Sequence, residues 1–337
     1  MPVNYLCSRD LLMMMMFLVA SLLVYVRMRR RGDSFAGWAV ALGLYALSLL
    51  SKQNGVVAPA LIALVEWLIV RRHVRDVLWR PLVFAVVPAG YFVWTIVFLE
   101  FSDLDKLAPE AFTARDYTLT MAKVHVFYYV RNVVWPFAMR PRPLIAPATS
   151  LADPAVLIGG TFIVATLAVA VWWRKRAPVA AFGILAYWFL FAPTSSFRPF
   201  RSPATDYRQY PSLAFLCLLV ALGLALIPRR RLRAAILAGL VVLAGAATFG
   251  HTNRVWRTEE SLWAQSVRFG GTALAHLNYG RSVQARDPAL SEHHYRIALQ
   301  RTPDHVYTHI NLGVLLVGQG RVDEGLRHAR HAVAAAP

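Results

Sequence analysis

The chain has 337 residues, 57% apolar and 12% aromatic, with 36 Lys and Arg against 18 Asp and Glu for a formal charge of +18. The basic residues punctuate greasy segments instead of clustering on a soluble face, which excludes a nucleic-acid-binding reading and leaves a membrane protein. Two cysteines, Cys7 and Cys217, exclude a disulfide framework.

Taken in chain order, apolar spans are expected at 11–26, 35–50, 55–70, 81–99, 154–173, 178–194, 210–227 and 234–250. Each is about long enough to cross a hydrocarbon core once tilt and aromatic ends are allowed, so about eight crossings follow. The first is a span and not a secretory signal, because its basic cluster follows the apolar stretch and no small-residue cleavage site is present. Within it, Met13 to Met16 occupy four consecutive positions around the helix and form lipid-facing or packing surface, not a metal box.

The loops alternate in charge. Arg27, Arg29, Arg30 and Arg31 follow the first span; Arg71, Arg72, Arg75 and Arg80 separate the third from the fourth; Arg174, Lys175 and Arg176 follow the fifth; Arg229 to Arg233 follow the seventh. Every second loop is strongly positive and belongs in the cytoplasm. The N-terminus, the 51–54 turn, the long 100–153 loop, the 195–209 loop and everything after 251 are then non-cytoplasmic. Glu66, inside the third span, is a candidate functional carboxylate or a local partner of Arg71. Met121–Phe137 is apolar and aromatic but carries Lys123, His125 and Arg131, and an even number of crossings makes it an interfacial helix at the outer surface.

Residues 251–337 change character and nearly repeat themselves. Asn278-Tyr279-Gly280 recurs as Asn311-Leu312-Gly313 at a spacing of 33, while Ala298 recurs as Ala332 and Pro303 as Pro337 at 34. Two helices per copy, with small residues at their crossing, give the tetratricopeptide spacing. Residues 254–268 place Val255, Leu262, Trp263 and Val267 near helical spacing and are expected to form a helix that caps the first copy. Because the sequence stops on the last residue of a copy, further repeats are expected beyond it. The predicted fold is therefore all-α: a polytopic membrane helix bundle over 1–250, then a linker helix plus two tetratricopeptide repeats over 251–337.

No P-loop, dinucleotide glycine pattern or hydrolase elbow occurs. No metal site is expected either: His293 and His294 point about 100° apart on a helix, lack ligand partners at suitable spacing, and read as two exposed histidines.

The polar residues at the outer span ends carry a resemblance. Asn4 to Asp10 ahead of the first span, the turn Ser51-Lys52-Gln53-Asn54-Gly55, Tyr129-Val130-Arg131, the loop Ala192-Pro193-Thr194-Ser195-Ser196-Phe197-Arg198-Pro199-Phe200-Arg201, the stretch Asp206-Tyr207-Arg208-Gln209-Tyr210, and the Trp256 and Leu262-Trp263 linker stand in one order. Together they resemble the bacterial relatives of the transmembrane and tetratricopeptide-repeat O-mannosyltransferases, within the C-type glycosyltransferase superfamily. The resemblance runs over nearly the whole chain. It implies a protein of the bacterial inner membrane that moves a sugar from a polyprenyl-phosphate donor to a Ser or Thr hydroxyl of an exported protein, on the non-cytoplasmic side.

Under that resemblance, Arg208, Arg198, Arg201, Arg131, Lys52 and Arg9 are expected to bind the donor phosphate, with Tyr210, Ser195 and Ser196 in support. Cations held at the membrane surface stabilise the negative charge of the departing polyprenyl phosphate. Arginine forks a phosphate and Lys52 acts as a point charge. No resident cofactor is evident, a divalent metal is left open, and the repeats are expected to hold the protein acceptor. The superfamily's catalytic acid belongs to a first outer loop that precedes this sequence, so the chain is expected to be a fragment of an active enzyme or an inactive relative. Gln53 stands where relatives tend to have Glu, and Tyr207 where many have His. Asp103, Asp105, Glu110 and Asp116 are weak substitutes for the missing acid. The competing function class is a membrane-anchored repeat scaffold without catalysis, and a transporter is more distant because no broken-helix pair is visible.

Overall fold

The computed structural model describes residues 9–71, 73–98, 113–138, 143–195 and 203–335, and among these every regular element is a helix, with no strand. The described residues divide into two compact units, one drawn from residues 1–133 and 147–240, the other from 134–146 and 241–337.

The first unit opens with α1 (Arg9–Arg31) and α2 (Phe35–Ser51), packed as an antiparallel pair. Leu11, Met14, Leu18, Leu22 and Tyr25 recur at three- and four-residue intervals and form the buried stripe of α1. The methionine run divides across it: Met14 and Met15 are buried, Met13 and Met16 exposed. Two serines tie the pair together, Ser21 Oγ donating to Ala41 O at 2.7 Å and Ser48 Oγ to Met14 O at 2.9 Å. The chain turns at Ser34, whose side chain accepts from the Gly37 N–H and caps α2.

A 3₁₀ turn, Gln53–Val57, leads into α3 (Ala58–Leu64), which runs on through a π-helical turn, Val65–Val70. Then come α4 (Val74–Phe98), and α5 (Ala114–Val124), which continues through a second π turn, His125–Val130, into α6 (Arg131–Val134). Next follow α7 (Pro154–Trp173), α8 (Pro178–Ser195), a 3₁₀ turn at Asp206–Gln209, and α9 (Tyr210–Ala225). Finally α10 (Arg230–Gly245) passes through a third π turn, Ala246–Thr252, and α11 (Asn253–Val255).

Seven helices among the described residues are long and apolar enough to cross a membrane: Arg9–Arg31, Gln53–Val70, Val74–Thr95, Pro154–Trp173, Pro178–Ser195, Asp206–Ala225 and Arg230–Val255. The expected second span forms a helix of 17 residues, about 25 Å at 1.5 Å per residue, short of that length. The count of long apolar helices is therefore one below the eight expected. The Met121–Phe137 helix begins earlier than expected, at Ala114, where Thr113 caps it by accepting from the Asp116 N–H at 3.0 Å. It is no free surface helix, because it packs along α7 and buries Tyr117, Thr120, Val124 and Tyr128.

In the second unit, a single helix over 254–268 is not seen. α11 ends at Val255, and Thr258 and Ser261 form a capping box that starts α12 (Glu259–Arg268) afresh. α12 packs on α13 (Ala273–Val283), which pairs with α14 (Pro288–Arg301); α15 (Val306–Gly318) then pairs with α16 (Val322–Ala335). The repeated glycines mark close crossings. A Cβ on Gly280 would meet the Tyr295 ring at 2.8 Å, and one on Gly313 would meet Gly325 O at 3.1 Å. Ala298 and Ala332, the repeated alanines, are both buried. Leu277 and Tyr295 of the first pair pack against Leu312, Leu315 and Leu316 of the second. Burying each such large side chain contributes about 1.5–3 kcal/mol.

Candidate functional site

Because successive helices of the first unit run in alternating directions, the starts of α1, α7 and α9 share one end with the close of α2 and α8. The expected phosphate-binding residues that the structure describes belong to this end. The 114–134 helix organises it. Trp135 and Pro136 stop this helix, since proline has no N–H to continue the ladder. Its π turn places Tyr128 and Tyr129 both inside.

Three hydroxyls of this helix fasten the segments of the resemblance. Tyr117 Oη donates to Thr194 O at 2.8 Å, at the close of α8. Tyr128 Oη donates to the Asp206 carboxylate, and Tyr129 Oη reaches Thr205 O at 3.5 Å. Gln209 Nε2 returns a bond to Tyr129 O at 3.1 Å. Arg208, half-buried in the same turn, reaches Pro203 O with its Nη1 at 3.5 Å and lies close enough to Tyr129 to act on it electrostatically. Burial raises the Tyr129 hydroxyl well above the ordinary phenol value, against the pull of Arg208.

The close approach of α7 also has a sequence cause. A Cβ on Gly159 would stand 2.0 Å from Ala122 O, so only glycine lets the two backbones meet there. His125 sits edge-on to Trp188 and Phe191, with ring centroids 4.9 and 4.8 Å away. Burial pushes its imidazole down to about 4, so it is neutral at physiological pH.

The remaining expected residues are scattered about this end. Lys52 Nζ pairs with Asp10 Oδ2 at 2.5 Å, joining the α2 turn to the start of α1. Arg9 and Arg131 are exposed, Tyr210 and Ser195 half-buried at helix ends, and Gln53 exposed. Arg198, Arg201 and Ser196 lie outside the described residues, as do Asp103, Asp105 and Glu110. Asp116 sits in the first turn of α5, where it favours the helix dipole. The carboxylate that does join the cluster is Asp206, two residues before Arg208 and given no role from sequence. Tyr128 and Tyr129 face this turn from within a π bulge, which no sequence periodicity announced.

Glu66 is resolved at the opposite, basic end. Its partner is not Arg71 but Arg29 of α1, whose Nε donates to Oε1 at 2.7 Å, while Tyr25 Oη donates to the same oxygen at 2.5 Å. Arg29 Nη2 also meets Asp76 at 2.7 Å, and Arg80 binds Asp33 and lies 3.3 Å from Asp76. Arg80 further stacks over Trp79 and Trp38, 4.6 and 5.3 Å from their centroids. The Arg80 guanidinium beside Asp33 holds that carboxyl below the ordinary value. Glu66 is thus the centre of a buried ion network that joins α1, α3 and α4.

The histidines of the second unit differ from expectation. His293 is exposed, but His294 is buried, and its Nδ1 lies 3.0 Å from Nδ1 of His276. The second helix pair has the same contact between His309 and His328 at 2.8 Å. His276 and His309 are 33 apart, His294 and His328 are 34 apart, so the contact belongs to the repeat. Among the described residues no group of three or more His, Cys, Asp or Glu is arranged to hold a metal.

No family model, curated protein or solved structure matches this chain.

Proposed function

We propose that this chain is the membrane body and repeat module of a sugar transferase that uses a polyprenyl-phosphate donor and a protein hydroxyl acceptor on the non-cytoplasmic face. The observation that carries the proposal is the convergence of the 203–209 turn on the 114–134 helix. It gathers Arg208, Asp206, Tyr128 and Tyr129 at the end of the bundle away from the basic loops. A fixed guanidinium beside a carboxylate and two phenols suits a departing phosphate better than a free surface arginine does. In this reading the seven long apolar helices and the 17-residue α2 lie in the membrane, and charged loops set the orientation. α13 to α16 are then two tetratricopeptide repeats: the 33- and 34-residue offsets, the paired glycine crossings and the duplicated histidine contact all support that assignment.

The test is transfer of a lipid-linked sugar to an acceptor peptide by the full-length protein in liposomes. Arg208→Ala is expected to lower transfer at least about tenfold, in line with loss of one preorganised charge partner, while membrane insertion is unchanged. Unchanged transfer overturns the phosphate role. A reporter fused after residue 270 should read non-cytoplasmic, and a cytoplasmic signal overturns the orientation.

One observation favours the scaffold reading. Val306, Ile310, Val314, Leu326 and Val333 line an open apolar groove of about 480 Å³ on α15 and α16. In the first helix pair the equivalents of Ile310 and Val333, Leu277 and Leu299, pack against the next helix. Peptide capture by the full-length protein in the absence of any transfer would support the scaffold.

A further inference from the structure

The basic end of the first unit contains two kinds of cation. Arg29 and Arg80 are buried and matched by Asp33, Glu66 and Asp76. Arg71, Arg174 and Lys175 are exposed, and among the described residues no carboxylate pairs with any of them. These three line one hollow of about 220 Å³ with Trp67 and Leu68. The cations come from loops more than 100 residues apart, brought together because α8 packs on the Val65–Val70 turn.

Arg71 is held there by an unusual backbone. It has φ of 54°, the left-handed region, and is the only non-glycine residue with positive φ among those described. Its N–H closes the π turn onto Glu66 O at 2.9 Å. Glycine is the ordinary residue at such a helix end, since an L side chain is disfavoured there. An arginine in this place therefore sacrifices local backbone ease and projects a third positive charge into a hollow that already has two.

We propose that this hollow binds the phosphate of an anionic phospholipid. Arg71 and Arg174 supply planar donors for the phosphate oxygens, Lys175 a point charge, and the Trp67 ring and Leu68 an apolar wall for the glycerol and the first acyl carbons. Free phosphate shares the ionic chemistry but has no use for that wall. The inference rests on the membrane reading above, in which this end lies at the cytoplasmic headgroup layer.

The experiment uses the full chain in neutral detergent and measures binding of phosphatidylglycerol, phosphatidylcholine, glycerol 3-phosphate and inorganic phosphate by native mass spectrometry and thermal shift. Phosphatidylglycerol should bind at least about fivefold tighter than phosphatidylcholine, the weight of one basic residue at an anionic surface, and more if the three act together. Arg71→Gln/Arg174→Gln/Lys175→Gln should abolish the preference. A control that removes equal charge from the same end outside the hollow, Arg30→Gln/Arg75→Gln/Arg176→Gln, should keep it. Arg71→Gly separates binding from folding: glycine suits the left-handed backbone, so the variant should be at least as stable as the parent and yet lose preference for phosphatidylglycerol. Equal preference in the hollow and control variants overturns the proposal, as does displacement of the lipid by millimolar inorganic phosphate, or an unchanged preference in Arg71→Gly. Release of the chain from membranes by alkaline carbonate overturns the membrane reading instead, which distinguishes the two failures.

Discussion

Replacing Arg29 with methionine tests how the first unit is held together. Arg29 and Arg80 bring two positive charges to three carboxylates, Asp33, Glu66 and Asp76, so the network carries a net −1. Arg29→Met removes the 2.7 Å contacts to Glu66 and to Asp76 and leaves a net −2, of which only the Asp33 carboxylate is open to solvent. Removing one partner of a buried pair costs about 3–5 kcal/mol, because the remaining charge stays desolvated. Glu66→Gln is the milder change. Its amide oxygen still accepts from Tyr25 and Arg29, and the two arginines then face two carboxylates, so about 1–2 kcal/mol is expected. The double variant Arg29→Met/Glu66→Met removes the pair as a unit and should cost less than its two single changes combined. Unfolding of the full chain in mild detergent, followed by tryptophan fluorescence, reads this directly, since Trp38 and Trp79 lie over Arg80. A cost for Arg29→Met of about 1 kcal/mol or less, the value of an exposed pair, or strict additivity in the double variant, would refute the reasoning.

Other outcomes follow from the same geometry. Gly159→Ala should destabilise by at least about 1–3 kcal/mol, because its Cβ has no room before Ala122 O, whereas Gly160→Ala, with open space around it, should be neutral or stabilising by about 0.5–1 kcal/mol; thermal unfolding compares them. Burial holds His294 at about 4, with the His276 and His293 charges acting in the same direction. The unfolded chain therefore takes up this proton first, so the contribution is intact above about pH 6.5 and is lost as pH falls towards 4, by on the order of 1–3 kcal/mol for a pair that titrates together. Hydrogen exchange over 273–335 in the full chain should show protection falling between pH 7 and 4.5, and less so in His294→Phe; a flat profile in the parent contradicts the histidine-pair reading. Arg321→Ala should lower the thermal unfolding temperature only slightly and lose that effect in high salt, because its contacts to Glu292 and Glu324 are substantially solvated.

The helical class, seven of the long apolar helices and the two helix pairs were legible because each rests on a local period: apolar run length for the long helices, three- and four-residue stripes within helices, and 33–34 residues for the pairs. What escaped was set by tertiary partners. Glu66 sits five residues from Arg71, and the nearest cation in sequence was the natural partner; the actual one, Arg29, is 37 residues away and is brought in by the contact of α1 with the Val65–Val70 turn. Asp206 lay two residues before Arg208, yet nothing local said that Tyr128 would reach it. The break at Trp256 was written locally, in Thr258 and Ser261, and was missed because the apolar spacing ran across it. His294 was read as exposed because no ligand partner stood at suitable spacing, although His276 and His294 recur as His309 and His328 with the 33- and 34-residue signature.

The three π turns have a consequence for how such a chain can vary. Each inserts a residue into an otherwise α-helical rod, and each carries polar groups at its widened turn: Glu66 in the first, His125 in the second, His251 and Thr252 in the third. Deleting a single residue from any of them would restore regular winding and leave the segment beyond it nearly in phase, because the extra residue is taken up within one widened turn. For the second turn, Asn132 would stay on the buried face, and the loss would fall on the widened turn itself, which holds His125, Tyr128 and Tyr129. Loss of one residue from the regular parts of the same helices would instead turn everything beyond it by about 100°, so chain length is held tightly along the α-helical stretches and more loosely at the three turns.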